Sequence, residues 1–215
     1  MSTVFLQHNR IRLALRQLRD APGRALLLLH GLGEQSPSEC PDFATAWPGP
    51  VFALDFTGHG SSTLPAGGGY TAEVLLADAD AALAHVGRAT VVGRGLGAYV
   101  ALMLAGSRPD VVVGTVLCDG PGILGGSIAP STQSFVTFEP ATSPPDPFAL
   151  WDLSHDLRPP DYAVLFAQVA LDHSPIPEPI SVAAVVRPMW LHEVVNEIGV
   201  VERSLDEALA EYAAL

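Results

Sequence analysis

Six side chains of this 215-residue sequence stand where acid–base chemistry is done in layered folds: His30, Glu34, Asp55, His59, Asp119 and, at one remove, His192. Each follows a short apolar run or its turn. Ligands of an open α/β sheet sit beyond the carboxyl ends of its strands. Asp119 closes such a run directly and has two readings, a turn carboxylate in Asp119-Gly120-Pro121-Gly122 or a general base on bound water or substrate, with His192 as a further candidate for that role. His85 and His173 end helical segments that return to the opposite side. Cys118 has no basic residue beside it in sequence and reads as a packed thiol. Ser154-His155-Asp156 holds the residue types of a nucleophile relay, but contiguous side chains cannot bond to one another in that order. A further stretch, Gly93-Arg94-Gly95-Leu96-Gly97, has its glycines spaced for a very tight turn.

Buried strands must position these residues. Val4–Gln7 and Ile11–Leu18 alternate apolar and polar around a His8-Asn9-Arg10 turn, which predicts a hairpin. Ala25–Leu29, Val51–Leu54, Thr90–Val92, Val111–Leu117 and Ile180–Val186 are continuous apolar runs, as expected of parallel strands covered on both faces. A short last strand is expected at Val200–Arg203. Helices are expected over 71–86, 98–105, 161–171, 190–198 and 204–215. Thr71 is placed to cap the first, and Ser204 with Glu207 forms a capping box for the last. Residues 121–160 contain eight prolines, with Phe135, Phe138, Phe148 and Trp151, and read as an irregular lid insert. Alternating strands and helices predict one α/β domain over 1–215, a mostly parallel sheet of about eight strands flanked by helices.

Composition narrows the function. Eleven cations face 23 acidic residues, a net charge of −12, and every cation is Arg. Without Lys there is no Schiff-base lysine and no phosphate-binding P-loop. The acidic balance disfavours nucleic acid and anionic membrane surfaces. Cys40 and Cys118 form neither a CxxC nor a zinc spacing. No signal peptide and no membrane-inserting run are visible, so a cytoplasmic protein of a GC-rich bacterium is expected. No cofactor is implied, since Gly93–Gly97 lacks the dinucleotide spacing.

Three motifs, in order and each at a strand exit, resemble the α/β-hydrolase family. His30-Gly31-Leu32-Gly33 resembles its HG-x-G loop. Asp55-Phe56-Thr57-Gly58-His59-Gly60-Ser61-Ser62 resembles its D-x-x-G-H-G-x-S turn. Gly93-Arg94-Gly95-Leu96-Gly97 resembles the nucleophile elbow G-x-S-x-G. The resemblance implies an α/β-hydrolase fold and relatives that are esterases, lipases, epoxide hydrolases and acyl-processing enzymes. It implies that His30 and His59 brace loops. It puts the nucleophile at Gly95, which has no side chain. It puts the acid in Arg187–Leu191, which has no carboxylate, although some members take theirs from the position of Asp119. It puts the histidine near Arg203–Asp206, where there is none. What the resemblance leaves is an oxyanion hole, built from the main-chain amides of Leu32 (beside Gly33) and Leu96. Since relatives hold Ser at the elbow, Gly95→Ser is expected to fit. Two readings follow. One is a non-catalytic member that binds a small apolar or acyl ligand, a protein partner or a second copy of itself. The other is a hydrolase or lyase working through Asp119 or a histidine at the same end of the sheet.

Overall fold

The computed structural model describes residues 2–8, 10–66, 68–124, 145–154 and 158–215. Strands β1 (Ser2–His8) and β2 (Ile11–Arg19) form the antiparallel hairpin that the alternation predicts. β2 also pairs antiparallel with β4 (Val51–Leu54). β3 (Ala25–Leu29) lies between β4 and β5 (Ala89–Arg94), parallel to both. β6 (Val112–Cys118), β7 (Ile180–Ala183) and β8 (Val200–Glu202) extend the parallel half. The eight strands make one sheet in the order β1-β2-β4-β3-β5-β6-β7-β8.

Burial on both faces explains the unbroken apolar runs. In β3, Leu27 and Leu29 enter one core, and Leu26 and Leu28 enter the other. Helices α1 (Ala72–Val86), α2 (Leu96–Ser107), α4 (Asp161–His173) and α5 (Met189–Val195) build the first core. Helix α6 (Leu205–Ala213) and Trp47 build the second. Thr71 Oγ1 accepts from the Val74 amide at 3.3 Å, and Ser204 and Glu207 complete the capping box, so both expected caps form. α2 is covered along nearly its whole length. A helix so enclosed needs no polar face, which is why its sequence is small and apolar throughout.

Three local expectations are corrected. The strand expected over 180–186 stops at Ala183, because the chain turns away and the Val186 amide donates to the Asp119 carboxylate instead of a neighbouring strand. The helix expected from Ala98 begins at Leu96, directly after the glycine turn. The insert expected to be irregular contains α3 (Pro147–Ser154), which buries Ala149 and Leu153 and exposes Phe148 and Trp151. Phe135, Phe138, His155 and Asp156 lie outside the described residues. α3 is held at its ends. The Asp146 amide donates to Gly58 O at 3.1 Å, and the Tyr70 hydroxyl donates to Asp146 Oδ2 at 2.7 Å. The Gly69 and Tyr70 amides donate to Asp152 Oδ2, each at 3.2 Å. Among the described residues no helix is long and apolar enough to cross a membrane.

Candidate active site at the carboxyl end of the sheet

The glycine turn has the geometry its sequence requires. Gly95 adopts φ +54°, ψ −114°, between the end of β5 and the first residue of α2. A Cβ on Gly93 or Gly97 would strike main-chain atoms of Gly97 or of β3, so the turn closes only with glycines there. The centre is tighter than the resemblance implied. A Cβ built on Gly95 would press on the Pro121 carbonyl oxygen and stand 2.5 Å from the Gly120 carbonyl carbon. The expectation that Ser fits at position 95 is therefore corrected: residues 120–121 fill the space a side chain would need.

The same Pro121 carbonyl takes both amides of the expected oxyanion hole. The Leu32 amide donates to Pro121 O at 3.0 Å and the Leu96 amide at 2.9 Å. Both lengths are ordinary for N–H···O bonds. The donors converge as a developing oxyanion would need, at the N-terminus of α2, but the protein's own carbonyl is the acceptor. The Gly33 amide turns elsewhere, to His59 Nε2 at 3.4 Å.

His30 and His59 are tied to main-chain groups. The Phe56 amide donates to His30 Nε2 at 3.1 Å, which leaves the ring proton on Nδ1 to donate to Gly31 O at 2.8 Å. Burial lowers its pKa despite the Asp55 carboxylate nearby. His59 faces Thr57 O through Nδ1 at 3.2 Å, and its ring lies 5.0 Å from that of His30. Burial, then the field of His30, pushes its pKa down to about 3. Both rings are thus neutral braces. Asp55 is fully buried and accepts from the amides of Ser36 at 2.7 Å and Ser61 at 2.9 Å. Burial, with Asp119 adjacent, pushes the Cys118 thiol up to about 12, so it carries no thiolate.

Asp119 lies where the apolar run placed it, at the end of β6, and is 6% exposed. Its Oδ2 accepts the Val186 amide at 3.1 Å, and its main-chain oxygen accepts from Arg94 Nη1 at 2.7 Å. Arg94 also donates through Nε to Glu34 Oε1 at 2.9 Å, and Glu34 Oε2 accepts the Gly31 amide at 2.8 Å. Pro121 and the Glu34–Arg94 pair are the features that sequence reasoning missed. The signal available was Gly120-Pro121-Gly122, where a proline offers an acceptor and no donor between two residues without side chains.

The two loops in which the resemblance places the acid and the histidine carry arginines. After β7, Arg187 pairs with Glu202, and its Nε donates to Ala184 O at 3.0 Å. After β8, Arg203 pairs with Glu178. His192 is exposed on α5, which packs on α4 and the edge strand β8, three strands from β5 in the sheet order. The structure does not bring it to the elbow. Among the described residues no group of three or more His, Cys, Asp or Glu is placed to hold a metal.

The strand order, the elbow after β5 and the converging amides define an α/β-hydrolase fold. The sequence model of the alpha/beta hydrolase family matches residues 26–212, and the chain belongs to that family. No curated protein matches it in sequence. Among solved structures it is similar to the thioesterase domain from the curacin biosynthetic pathway, with a TM-score of 0.68 and 16% identity over 100% of this chain and 98% of that one. That likeness is one of fold. Epoxide hydrolase A from Mycobacterium thermoresistibile is 25% identical, with a TM-score of 0.49 over 62% of this chain and 43% of that one. Mouse alpha/beta hydrolase domain-containing protein 10 is 21% identical, with a TM-score of 0.48 over 55% and 49%. The matches to these last two span less than half of their lengths.

Proposed function

We propose that this protein is a non-catalytic member of the α/β-hydrolase family that binds and does not hydrolyse. One observation carries the reading: the nucleophile position is Gly95, and the carbonyl of Pro121 rests on both oxyanion-hole amides. A glycine cannot form an acyl-enzyme, and an occupied hole cannot stabilise a tetrahedral intermediate. What it binds is expected to be a small apolar or acyl ligand, a protein partner or a second copy. The decisive experiment incubates the protein with a fluorophosphonate probe and, separately, with an activated ester under burst conditions. No labelling and no burst are expected. Stoichiometric labelling of a serine at this end of the sheet would overturn the reading.

A second reading has Asp119 as a general base on a bound water. Its support is a buried carboxylate at the end of β6, beside the elbow. It predicts turnover on small ester or acyl-type substrates that Asp119→Asn abolishes.

A further inference from the structure

We propose that Glu34 and Arg94 form a latch that holds residues 118–121 in the oxyanion hole as an internal peptide ligand. Four donors converge on three carbonyls of that stretch. The Gly95 amide donates to Cys118 O at 3.0 Å, Arg94 Nη1 to Asp119 O at 2.7 Å, and the Leu32 and Leu96 amides to Pro121 O. All are main-chain acceptors, so these four contacts grip the stretch through its peptide groups. Pro121 has no N–H, and its carbonyl on the two amides is its main-chain polar tie. The ring of Pro121 sits over Gly31, where a Cβ would come within 2.9 Å of Pro121 Cγ and Cδ. The loop and the plug are thus shaped to each other.

Glu34 joins the two halves of the grip. Its Oε2 fixes the Gly31 amide, one residue from the Leu32 donor, and its Oε1 fixes the guanidinium that holds Asp119 O. The side chains of Arg94 and Glu34 are only 8% and 15% exposed. A pair so shielded from water holds one geometry, unlike a surface ion pair. When the latch loosens, the carbonyl of Pro121 is free to leave and the two amides are bared. The proposal concerns how the hole is kept shut. It stands whether or not Asp119 has any activity.

Amide hydrogen exchange on the full chain tests it, because the Leu32 and Leu96 amides report opening of the plug while Val91 and Val92 in β5 report the sheet. Glu34→Gln should speed exchange at Leu32 and Leu96 at least tenfold and leave Val91 and Val92 unchanged. A second variant breaks the latch without unpairing a charge. The double variant Glu34→Gln/Arg94→Met removes both partners of the ion pair together and should give the same pattern. Exchange that rises equally at all four amides, or at none, in either folded variant would overturn the latch.

Discussion

Restoring the family's serine should damage this protein, not activate it. A Cβ at Gly95 would lie 2.5 Å from the Gly120 carbonyl carbon, and carbon atoms rest at about 3.5–4.0 Å, so residues 120–121 must retreat by roughly 1 Å. A retreat of that size takes the Pro121 carbonyl, now 2.9 and 3.0 Å from its donors, out of hydrogen-bond range of both amides. Two hydrogen bonds at about 1 kcal/mol each, plus about 1–3 kcal/mol for a side chain at this backbone conformation, total roughly 3–5 kcal/mol. For a chain of this size that lowers Tm by about 6–20 °C. Gly87→Ala is the control, because Gly87 has φ +77° with open space where its Cβ would go, and so isolates the conformational cost. Thermal unfolding of Gly95→Ala, Gly95→Ser and Gly87→Ala measures the difference. Gly95 variants no less stable than Gly87→Ala would refute the occupied hole. Gly95→Ser should also show no burst, because His30 and His59 are engaged by main-chain groups and His192 lies on α5, away from the elbow.

Stability should fall in mild acid. His59 has its pKa held near 3 by burial against about 6.5 when unfolded, so the unfolded state binds the extra proton between those values. The stabilisation is complete above the unfolded value and is lost as pH drops below it, by about 1.4 kcal/mol at pH 5.5. His30 shifts in the same direction and adds to the loss. Urea unfolding at pH 7.5 and 5.5 measures it, and equal stabilities would contradict the neutral buried rings. Tyr70→Phe removes the 2.7 Å bond to Asp146 that ties down α3, at about 1–3 kcal/mol to a charged acceptor. Limited proteolysis should then cut within 145–154 faster than in the parent, and an unchanged rate would show that the tie is idle. Asp119→Asn keeps an oxygen to accept the Val186 amide, so its Tm should fall by no more than about 4 °C, a cost near 1 kcal/mol. A much larger fall would mean that the charge itself is structural.

Most of the frame was legible in the residues alone. A buried parallel strand has to be apolar on both faces, so Ala25–Leu29 and Val51–Leu54 were legible as they stand. The caps at Thr71 and Ser204 were legible because a cap is a contact between residues three apart. Gly93 and Gly97 declared the tight turn for the same reason, since its steric demand is local. Strand ends were less legible: nothing near Val185 and Val186 says that the chain leaves the sheet, because the Val186 amide is satisfied by Asp119, 67 residues away. The state of the site belonged to tertiary structure altogether. Gly95 puts no side chain at the position the resemblance gives to the nucleophile, but amides carry no side-chain signature. That Leu32 and Leu96 spend their donors on Pro121, and that Glu34 meets Arg94, depends on three loops meeting at the ends of β3, β5 and β6. Only the sheet order brings those ends together, and a hydrogen bond between main-chain groups leaves no trace in either residue's identity.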